Sequence, residues 1–306
     1  MWIVGIVLLM VIGIIIFVAN RLTNIVISPP NNSISRALEQ EIKQTYIIEG
    51  YYESLKKEDF KLTSQEGYNL KCQLIKNPMP SKKYIVFCHG YGFNRIGAVK
   101  YIDIFLREGF NIVLYDHRNS GESEGEYTTM GYFEKEDLKR VINYIYNRFG
   151  KDIVVGTHGE SMGAATVLLH CSEDKRVKFV IADCPYSDLK KQLAYRLKIE
   201  HKLPQFPFLN IASIFSRIKA GFFFGQISPI KVIQQHNGLA DVPIMFIHGD
   251  ADQYIPPIMT EQMYQVKKGY KKLYLAKGAD HAISVCVDRK RYESEVHDFL
   301  MHVDQL

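Results

Sequence analysis

The sequence has few cysteines, and their arrangement excludes several classes of protein. Five are present in 306 residues, an odd number, and no two have C-x-x-C spacing; they are Cys72, Cys88, Cys171, Cys184 and Cys286. We therefore expect neither a zinc site nor a disulfide framework, and a reducing compartment is favoured. A basic stripe is also lacking, because the Lys and Arg residues behind the net charge of +5 are scattered. No nucleic-acid motif is present, so no nucleic-acid partner is expected.

Charge is missing altogether from the N-terminal stretch. Met1–Ala19 has no charged side chain, and Arg21 is the first. A helix of this length is about 28 Å long, close to the hydrocarbon thickness of a bilayer. We therefore predict a transmembrane anchor over residues 1–20, which makes the cell membrane a partner of this single-pass protein.

Two alternatives to an anchor fit the stretch less well. A cleavable signal peptide would begin with basic residues and end with small ones, whereas none precedes the run and Phe17 stands near its end. A buried core helix would not normally be apolar all round. Because Arg21 and Arg36 follow the span, a cytoplasmic C-terminal domain is favoured. Residues 21–58 are predicted as a linker and a short amphipathic helix that Ser33 or Ser35 caps.

From residue 59 the chain alternates between strands and helices. Phe60–Leu74 alternates apolar and polar residues around Gly67, which predicts an antiparallel hairpin. Short apolar runs then predict six buried strands, at 84–88, 111–115, 153–157, 177–182, 244–247 and 273–275. Helical periodicity separates them. This order predicts an α/β domain over 59–306, with a mostly parallel sheet covered by helices on both faces.

The segment Gly-Glu-Ser-Met-Gly at 159–163 carries the first chemical signal. The pattern G-x-S-x-G arises by chance in roughly one chain in ten of this length, because Gly and Ser are common. Here a β-branched strand precedes it and a small-then-apolar helix follows. Such a strand-to-helix turn exposes the serine, so Ser161 is predicted to be a nucleophile.

Loops that follow strands supply the partners that a serine nucleophile needs. Asp250 and Asp252 follow one strand, and His281 follows the last. The carboxyl ends of parallel strands meet at one edge of a sheet, so these side chains should converge there. A histidine can take the proton of Ser161, and an acid can orient that histidine. The residues alone leave Asp250 and Asp252 as alternatives for the acid.

Five motifs together resemble the α/β-hydrolase superfamily from about Asp59 to Val303. They are H-G-Y-G at 89–92, D-H-R-N-S-G-E-S at 116–123, G-E-S-M-G at 159–163, H-G-D-A-D at 248–252 and G-A-D-H at 278–281. The chain is similar to membrane-anchored bacterial serine hydrolases and to the monoacylglycerol-lipase-like and serine-aminopeptidase-like branches. The resemblance implies a Ser161, Asp252, His281 triad, with Asp252 favoured over Asp250. It also implies an oxyanion hole at the amides of Tyr91 and Met162, and no cofactor or metal.

A long segment separates two of the predicted strands. Residues 185–240 exceed an ordinary crossover and hold six phenylalanines, at 206, 208, 215 and 222–224. By resemblance this is a helical lid, and we expect some of these rings to line a pocket above Ser161. The alternative is a surface helix with ordinary core packing.

The function predicted from these features is that of a serine hydrolase, specifically a carboxylic-ester hydrolase (esterase- or lipase-like). Its substrate would be a small, hydrophobic ester or acyl compound. A peptidase or aminopeptidase acting on short peptides and a non-catalytic membrane-bound binding protein remain alternatives.

Overall fold

One eight-stranded sheet organises the computed structural model, which describes residues 2–305. Met1, where the predicted anchor begins, and Leu306 lie outside the described residues. The strand order is β1-β2-β4-β3-β5-β6-β7-β8. The first two strands are antiparallel, and β3 to β8 are parallel. The strands are β1 Lys57–Thr63, β2 Asn69–Ile75, β3 Lys83–Cys88, β4 Phe110–Tyr115, β5 Val154–Glu160, β6 Val177–Asp183, β7 Ile244–Gly249 and β8 Lys271–Ala276.

Twelve α-helices lie within the described part of the chain. They are α1 Trp2–Ile27, α2 Ile34–Lys43, α3 Tyr51–Ser54, α4 Val99–Arg107, α5 Glu134–Phe149, α6 Met162–Cys171, α7 Leu189–His201, α8 Phe208–Ala220, α9 Pro229–Gln235, α10 Ile258–Val266, α11 Ser284–Val287 and α12 Arg289–Val303. Short 3₁₀ turns at 95–98, 224–226 and 237–239 complete the structure. The α/β-hydrolase fold class predicted from the sequence is confirmed, including the hairpin of β1 and β2.

The sheet is buried on both faces, as its apolar strands require. Along β3, Ile85 and Phe87 pack into one hydrophobic cluster, while Tyr84, Val86 and Cys88 pack into the other. This alternation follows from the two-residue period of a strand. Each fully buried side chain of this size stabilises the fold by about 1.5–3 kcal/mol. The two clusters hold the carboxyl ends of the strands, and the loops after them, in fixed positions.

The solvent exposure of the N-terminal helix α1 changes along its length. Its first sixteen residues are almost all exposed, whereas Ala19, Thr23 and Ile27 are buried. Within the described residues, α1 is the one helix long and apolar enough to cross a membrane. Its length and composition fit either a membrane span or a signal sequence. The helix continues to Ile27, past residue 20, where the linker was predicted to begin.

The inner end of α1 packs against α8. The Thr23 hydroxyl lies 2.8 Å from the Ala19 carbonyl oxygen and 3.0 Å from that of Ala212 in α8. The Lys219 ammonium of α8 donates to the side-chain oxygens of Asn20 and Asn24, at 2.6 and 2.7 Å. Small residues at this crossing let the two backbones approach closely. The end of α1 therefore belongs to the folded domain.

Helix α2 packs against the 3₁₀ turn at 95–98, in the loop that follows β3. The Ser33 hydroxyl accepts a hydrogen bond from the Arg36 amide, which makes Ser33 the predicted N-cap. Ile34, Leu38 and Ile42 pack against the hydrophobic cluster on one face of the sheet. The spacing of these residues gives α2 one apolar face, and this face fixes its position over the loops that follow β3 and β5.

The segment between β6 and β7 contains α7, α8 and α9. Phe222 and Phe224 are fully buried, and Phe222 stacks on Tyr132 with ring centroids 5.8 Å apart. Both belong to a third hydrophobic cluster, which also contains Ala19 and Ile27 of α1. We refer to residues 185–240 as the insertion.

Candidate active site

Ser161 stands at a sharp turn between β5 and α6. Its φ of 57° and ψ of −115° lie outside the regions that ordinary residues prefer. A Cβ atom at Gly159 would lie 2.2 Å from the Gly163 carbonyl oxygen, and one at Gly163 would lie 2.0 Å from that of Cys88. Only glycine fits at either position. The two glycines thus allow the turn that places the Ser161 side chain at the carboxyl edge of the sheet.

The three residues predicted as nucleophile, base and acid lie in one hydrogen-bonded chain. Nε2 of His281 lies 2.9 Å from Oγ of Ser161, and Nδ1 of His281 lies 2.7 Å from Oδ2 of Asp252. An ionised carboxylate can only accept, so Nδ1 of His281 donates to Asp252. Nε2 is then the nitrogen that accepts the Ser161 hydroxyl hydrogen. Such an arrangement can transfer a proton from the serine to the imidazole.

The Asp252 carboxylate is held ionised by four donors. Burial alone would raise its pKa, but hydrogen bonds from His248 and His281 hold the pKa below its usual range. Oδ1 accepts from the amides of Tyr254 and Ile255 at 2.8 and 2.9 Å. A carboxylate fixed on both oxygens cannot rotate, so it holds the ring of His281 in one orientation.

The alternative acid, Asp250, has a different place. Its Oδ1 accepts a hydrogen bond from the Gly278 amide at 2.6 Å, which ties the loop after β7 to the loop after β8. Asp250 is exposed, whereas Asp252 is buried. Of the two acids, the structure brings Asp252 to His281.

The two residues predicted to form the oxyanion hole, Tyr91 and Met162, both lie near Ser161. Met162 is the first residue of α6, so its amide has no partner within the helix. Tyr91 lines the same cavity as Ser161. A Cβ atom at the preceding Gly90 would come within 3.5 Å of the Ser161 Cβ, which shows how closely this loop approaches the serine.

A cavity of about 260 Å³ opens beside Ser161 and His281. Its lining comes from α2, the loop after β3, α4 and the loops after β5, β7 and β8: Gln40, Glu41, Gln44, Tyr46, Gly90, Tyr91, Phe93, Lys100, Glu160, Ser161, Tyr254, His281, Ala282 and Ile283. No residue of the insertion belongs to this lining. The expectation that the phenylalanines at 206–224 line a pocket above Ser161 is wrong for this cavity, because none of them belongs to its lining. Phe222 and Phe224 are buried in the hydrophobic cluster that also contains Ala19 and Ile27 of α1.

A buried charge pair lies at the base of the cavity, and the sequence did not indicate it. The Lys100 ammonium lies 2.7 Å from Oε2 of Glu160, which also accepts a hydrogen bond from the Tyr101 hydroxyl at 2.6 Å. The sequence gives no signal for this pair. Glu160 occupies a variable position of G-x-S-x-G, and Lys100 lies in α4, which contains no recognisable motif. Only the tertiary fold brings α4 close enough to the end of β5 for this pair to form.

His248 is a second residue that sequence reasoning missed. It is fully buried, its Nε2 lies 3.0 Å from Oδ2 of Asp252, and its Nδ1 lies 2.6 Å from the Thr260 hydroxyl. Its place four residues before Asp252, at the end of a buried strand, was the available signal.

The other loop residues act as braces. His89 accepts the His117 amide at 2.9 Å and contacts its own loop at the Gly90 carbonyl oxygen. Asp116 pairs with Arg95, and Arg118 pairs with Asp137 at 2.8 Å. Asp116 and Arg118 therefore stabilise the loops through separate ion pairs.

One set of side chains has the spacing of metal ligands but not the chemistry. Cys184, Asp252 and His281 offer ligand atoms within 4.8 Å of one another. Burial raises the pKa of the Cys184 thiol well above its usual value, whereas a metal requires the thiolate. Asp252 and His281 already bind each other. The set does not fit a metal site.

Comparisons with known proteins identify the family of this chain. Residues 39–212, more than half of the chain, match the X-Pro dipeptidyl-peptidase (S15) family. The chain is 39% identical to YqkD, an uncharacterised protein of Bacillus subtilis (strain 168), over 81% of each chain.

Solved structures show the same fold. An esterase of Pyrococcus furiosus superposes with a TM-score of 0.69 and 24% identity, over 90% of this chain and 98% of that one. Est1E from Butyrivibrio proteoclasticus, solved with ferulic acid, gives 0.66 and 17%, over 81% and 100%. The family model matches more than half of the chain, and a serine lies on the turn after β5. The chain therefore belongs to the X-Pro dipeptidyl-peptidase (S15) family and is a serine hydrolase of the α/β-hydrolase superfamily.

Proposed function

We propose that this protein is a carboxylic-ester hydrolase that works through Ser161, His281 and Asp252 and forms an acyl-enzyme. The observation that carries the proposal is the unbroken chain of hydrogen bonds from Ser161 through His281 to Asp252, beside a cavity that can hold a small substrate. All the groups that acyl transfer requires come from the protein itself.

In the first half of the reaction, Oγ of Ser161 attacks the ester carbonyl carbon while its proton moves to Nε2 of His281. The ring becomes an imidazolium, which the Asp252 carboxylate stabilises. The amides of Tyr91 and Met162 donate to the carbonyl oxygen as it becomes an oxyanion. The carbon–oxygen bond to the alcohol then breaks, and the leaving alkoxide takes the proton from His281.

In the second half, water replaces the alcohol. Nε2 of His281 takes a proton from the water as its oxygen attacks the acyl carbon of the Ser161 ester. The oxyanion forms again at the same amides, the bond to Oγ breaks, and His281 returns the proton to Ser161. The acid leaves and the enzyme is restored.

Peptide-bond hydrolysis by the same residues is the second candidate, and the S15 family match favours it. Two structural neighbours favour the ester reaction: the Pyrococcus furiosus protein is named an esterase, and Est1E was solved with ferulic acid, an aromatic carboxylic acid. An alkoxide leaves more readily than an amide nitrogen, so an ester makes the smaller demand on the acid role of His281.

A fluorophosphonate probe and matched substrates test the proposal. We expect the probe to label Ser161, located by mass spectrometry, and Ser161→Ala to prevent labelling without unfolding the protein. The ester is the more reactive substrate for either enzyme, so we expect it to be hydrolysed while the anilide with the same acyl group shows no measurable turnover. Labelling at another serine would contradict the nucleophile, and measurable turnover of the anilide would favour the peptidase.

We also propose that α1 anchors the enzyme in the cell membrane with the catalytic domain on the cytoplasmic side. Residues near the point where a signal peptidase would cut, such as Ala19 and Thr23, are buried in the helix packed on α8, which supports retention. The protein should stay in carbonate-washed membranes with its N-terminus intact. A mature form that begins near Asn20 would show a cleaved signal instead.

A further inference from the structure

Ser161 and His281 must stay within hydrogen-bond distance, but the strands that carry their loops are not neighbours. Ser161 follows β5 and His281 follows β8, and β6 and β7 lie between these strands in the sheet. Neighbouring strands are about 4.8 Å apart, so β5 and β8 are separated by about 14 Å. Contacts outside the sheet must therefore hold Oγ of Ser161 and Nε2 of His281 at 2.9 Å.

The Lys100 side chain of α4 contacts both of these loops. Its ammonium lies 2.7 Å from Oε2 of Glu160, the residue before Ser161. The same ammonium donates to the carbonyl oxygen of Ala282, the residue after His281, at 3.0 Å. One nitrogen atom therefore joins the neighbour of the nucleophile to the neighbour of the base.

Ala282 has a backbone conformation that depends on its surroundings. Its φ is 61°, in the left-handed region that a residue with a Cβ atom rarely adopts. Such a conformation persists only where neighbouring groups hold it. The hydrogen bond from Lys100 fixes the direction of the Ala282 carbonyl, and it thereby limits rotation of the backbone one residue after His281.

The stability of the fold does not account for a charge at this place. Lys100 is 5% exposed. Burial alone would lower the pKa of Lys100, but the charges of Glu160 and Glu41 raise it above its usual value, so the side chain is an ammonium ion. Replacing a buried ion pair by apolar side chains of similar size is often neutral or stabilising. The pair between Lys100 and Glu160 therefore needs an explanation other than stability.

We infer that Lys100 is a positioning residue that holds the loops of Ser161 and His281 at the separation that proton transfer requires. It acts through Glu160 and Ala282 and takes no part in making or breaking bonds. The inference rests on the proposed function, because it assumes that Ser161 and His281 perform the reaction. A shift of about 1 Å between reacting groups can lower a rate about 100-fold, so loss of this link should lower kcat.

Two variants separate the link from the charge that it carries. In Glu160→Gln the amide oxygen can still accept a hydrogen bond from Lys100, so both loops remain joined. The double variant with Lys100→Met and Glu160→Gln loses the link, and neither member of the pair is left as a buried charge. We expect kcat on an acetate ester to be about 100-fold lower in the double variant than in Glu160→Gln, while KM differs by less than about threefold.

A purely structural role would give a different result. Thermal unfolding measures the stability of both variants, and complete labelling with a fluorophosphonate counts the active sites, so that kcat is expressed per site. If kcat per site is the same in the two variants, the inference is overturned. A larger KM with an unchanged kcat also overturns it, because Lys100 would then bind the substrate. A wild type that neither hydrolyses the ester nor reacts with the probe overturns the proposed function instead.

Chemical rescue tests the same inference without the second substitution. Lys100→Ala removes the side chain beyond Cβ, and propylammonium supplies the missing atoms; Lys100 lines the cavity, so an added amine can reach its place. We expect propylammonium to raise the kcat of Lys100→Ala at least about tenfold, whereas 1-propanol, which is of similar size but uncharged, leaves it unchanged. The wild type with the same amine is the control for direct attack of the amine on the acyl-enzyme. Rescue by 1-propanol, or by neither compound, overturns the inference.

Discussion

Helix α2 and the insertion both lie next to the catalytic loops, but they face them differently. Helix α2 and the residue that caps its C-terminus give the cavity three polar residues, Gln40, Glu41 and Gln44. The insertion contacts the loop that follows Asp252 from outside, for example through Gln192, which donates to the Tyr254 carbonyl oxygen at 2.6 Å. Phe222 and Phe224 belong instead to the hydrophobic cluster that contains Ala19 and Ile27 of α1, and Phe206 and Phe223 are exposed.

An apolar insertion is often assumed both to line the substrate cavity and to pack on the rest of the protein. In this structure α2 lines the cavity, and the insertion packs on α1. The substrate in the cavity meets Ser161 between a polar wall from α2 and a few apolar side chains, such as Phe93 and Ile283. In the insertion, α8 packs on α1. The cavity therefore owes its polar lining to the region of α2, and none of its lining comes from the insertion.

The largest effect on kcat should come from the catalytic residues themselves, and it should depend on neither α2 nor the insertion. Asp252→Asn should lower kcat by about 10⁴-fold, because an amide would favour the wrong tautomer of His281. Asp250→Asn, the matched control, should cost less than tenfold, since Asp250 only ties two loops together. Both are measured on an acetate ester and on an ester with a longer chain. A larger loss from Asp250→Asn would move the acid to that residue.

The positions of these residues could be read from the sequence because they depend on local rules. Gly159 and Gly163 mark the turn at Ser161, and alternating strands and helices place the loops of Asp252 and His281 at one edge of the sheet. Neither inference requires knowing how distant segments pack.

The positions of α2 and of the insertion depend on long-range packing, and the sequence did not reveal them. Residues 21–27 were assigned to the linker, but they continue α1 and pack on α8, where Thr23 contacts Ala212, 189 residues away in the sequence. Glu41 reaches the cavity only because the apolar face of α2 packs on the sheet. The phenylalanine content of the insertion could not show which way the rings face.

The second largest effect tests whether the stability of the insertion depends on its contact with α1. Deleting residues 1–17 removes the exposed part of the helix and should leave a soluble, active enzyme. Deleting residues 1–28 also removes the buried Ala19, Thr23 and Ile27, and each larger buried side chain lost costs about 1.5–3 kcal/mol. It also removes the Ile25 carbonyl oxygen, which accepts a hydrogen bond from the Tyr91 hydroxyl.

We therefore expect the longer deletion to lower the melting temperature by several degrees and to reduce esterase activity at least tenfold. Thermal unfolding and kcat/KM are measured for both truncations in the same buffer. If the two truncations are equally stable and active, the contact between α1 and α8 does not support the insertion.

The smallest expected effect is on the dependence of kcat/KM on acyl-chain length, and it tests whether the insertion or the cavity lining holds the acyl chain. Phe222→Ala should destabilise the protein by about 3–5 kcal/mol, because it empties a fully buried position. It should leave the dependence of kcat/KM on acyl-chain length unchanged, since Phe222 does not line the cavity. Ile283→Ala should have the opposite pattern, with a smaller loss of stability and a changed dependence on chain length.

A series of p-nitrophenyl esters measures this dependence. Each buried CH₂ contributes about 0.8 kcal/mol, so kcat/KM should rise nearly fourfold per carbon until the cavity of about 260 Å³ is filled. Removing the Ile283 side chain enlarges the cavity, so the optimum should move to a longer chain by one or two carbons. A shift of the optimum in Phe222→Ala and none in Ile283→Ala would mean that the insertion, after all, holds the acyl chain.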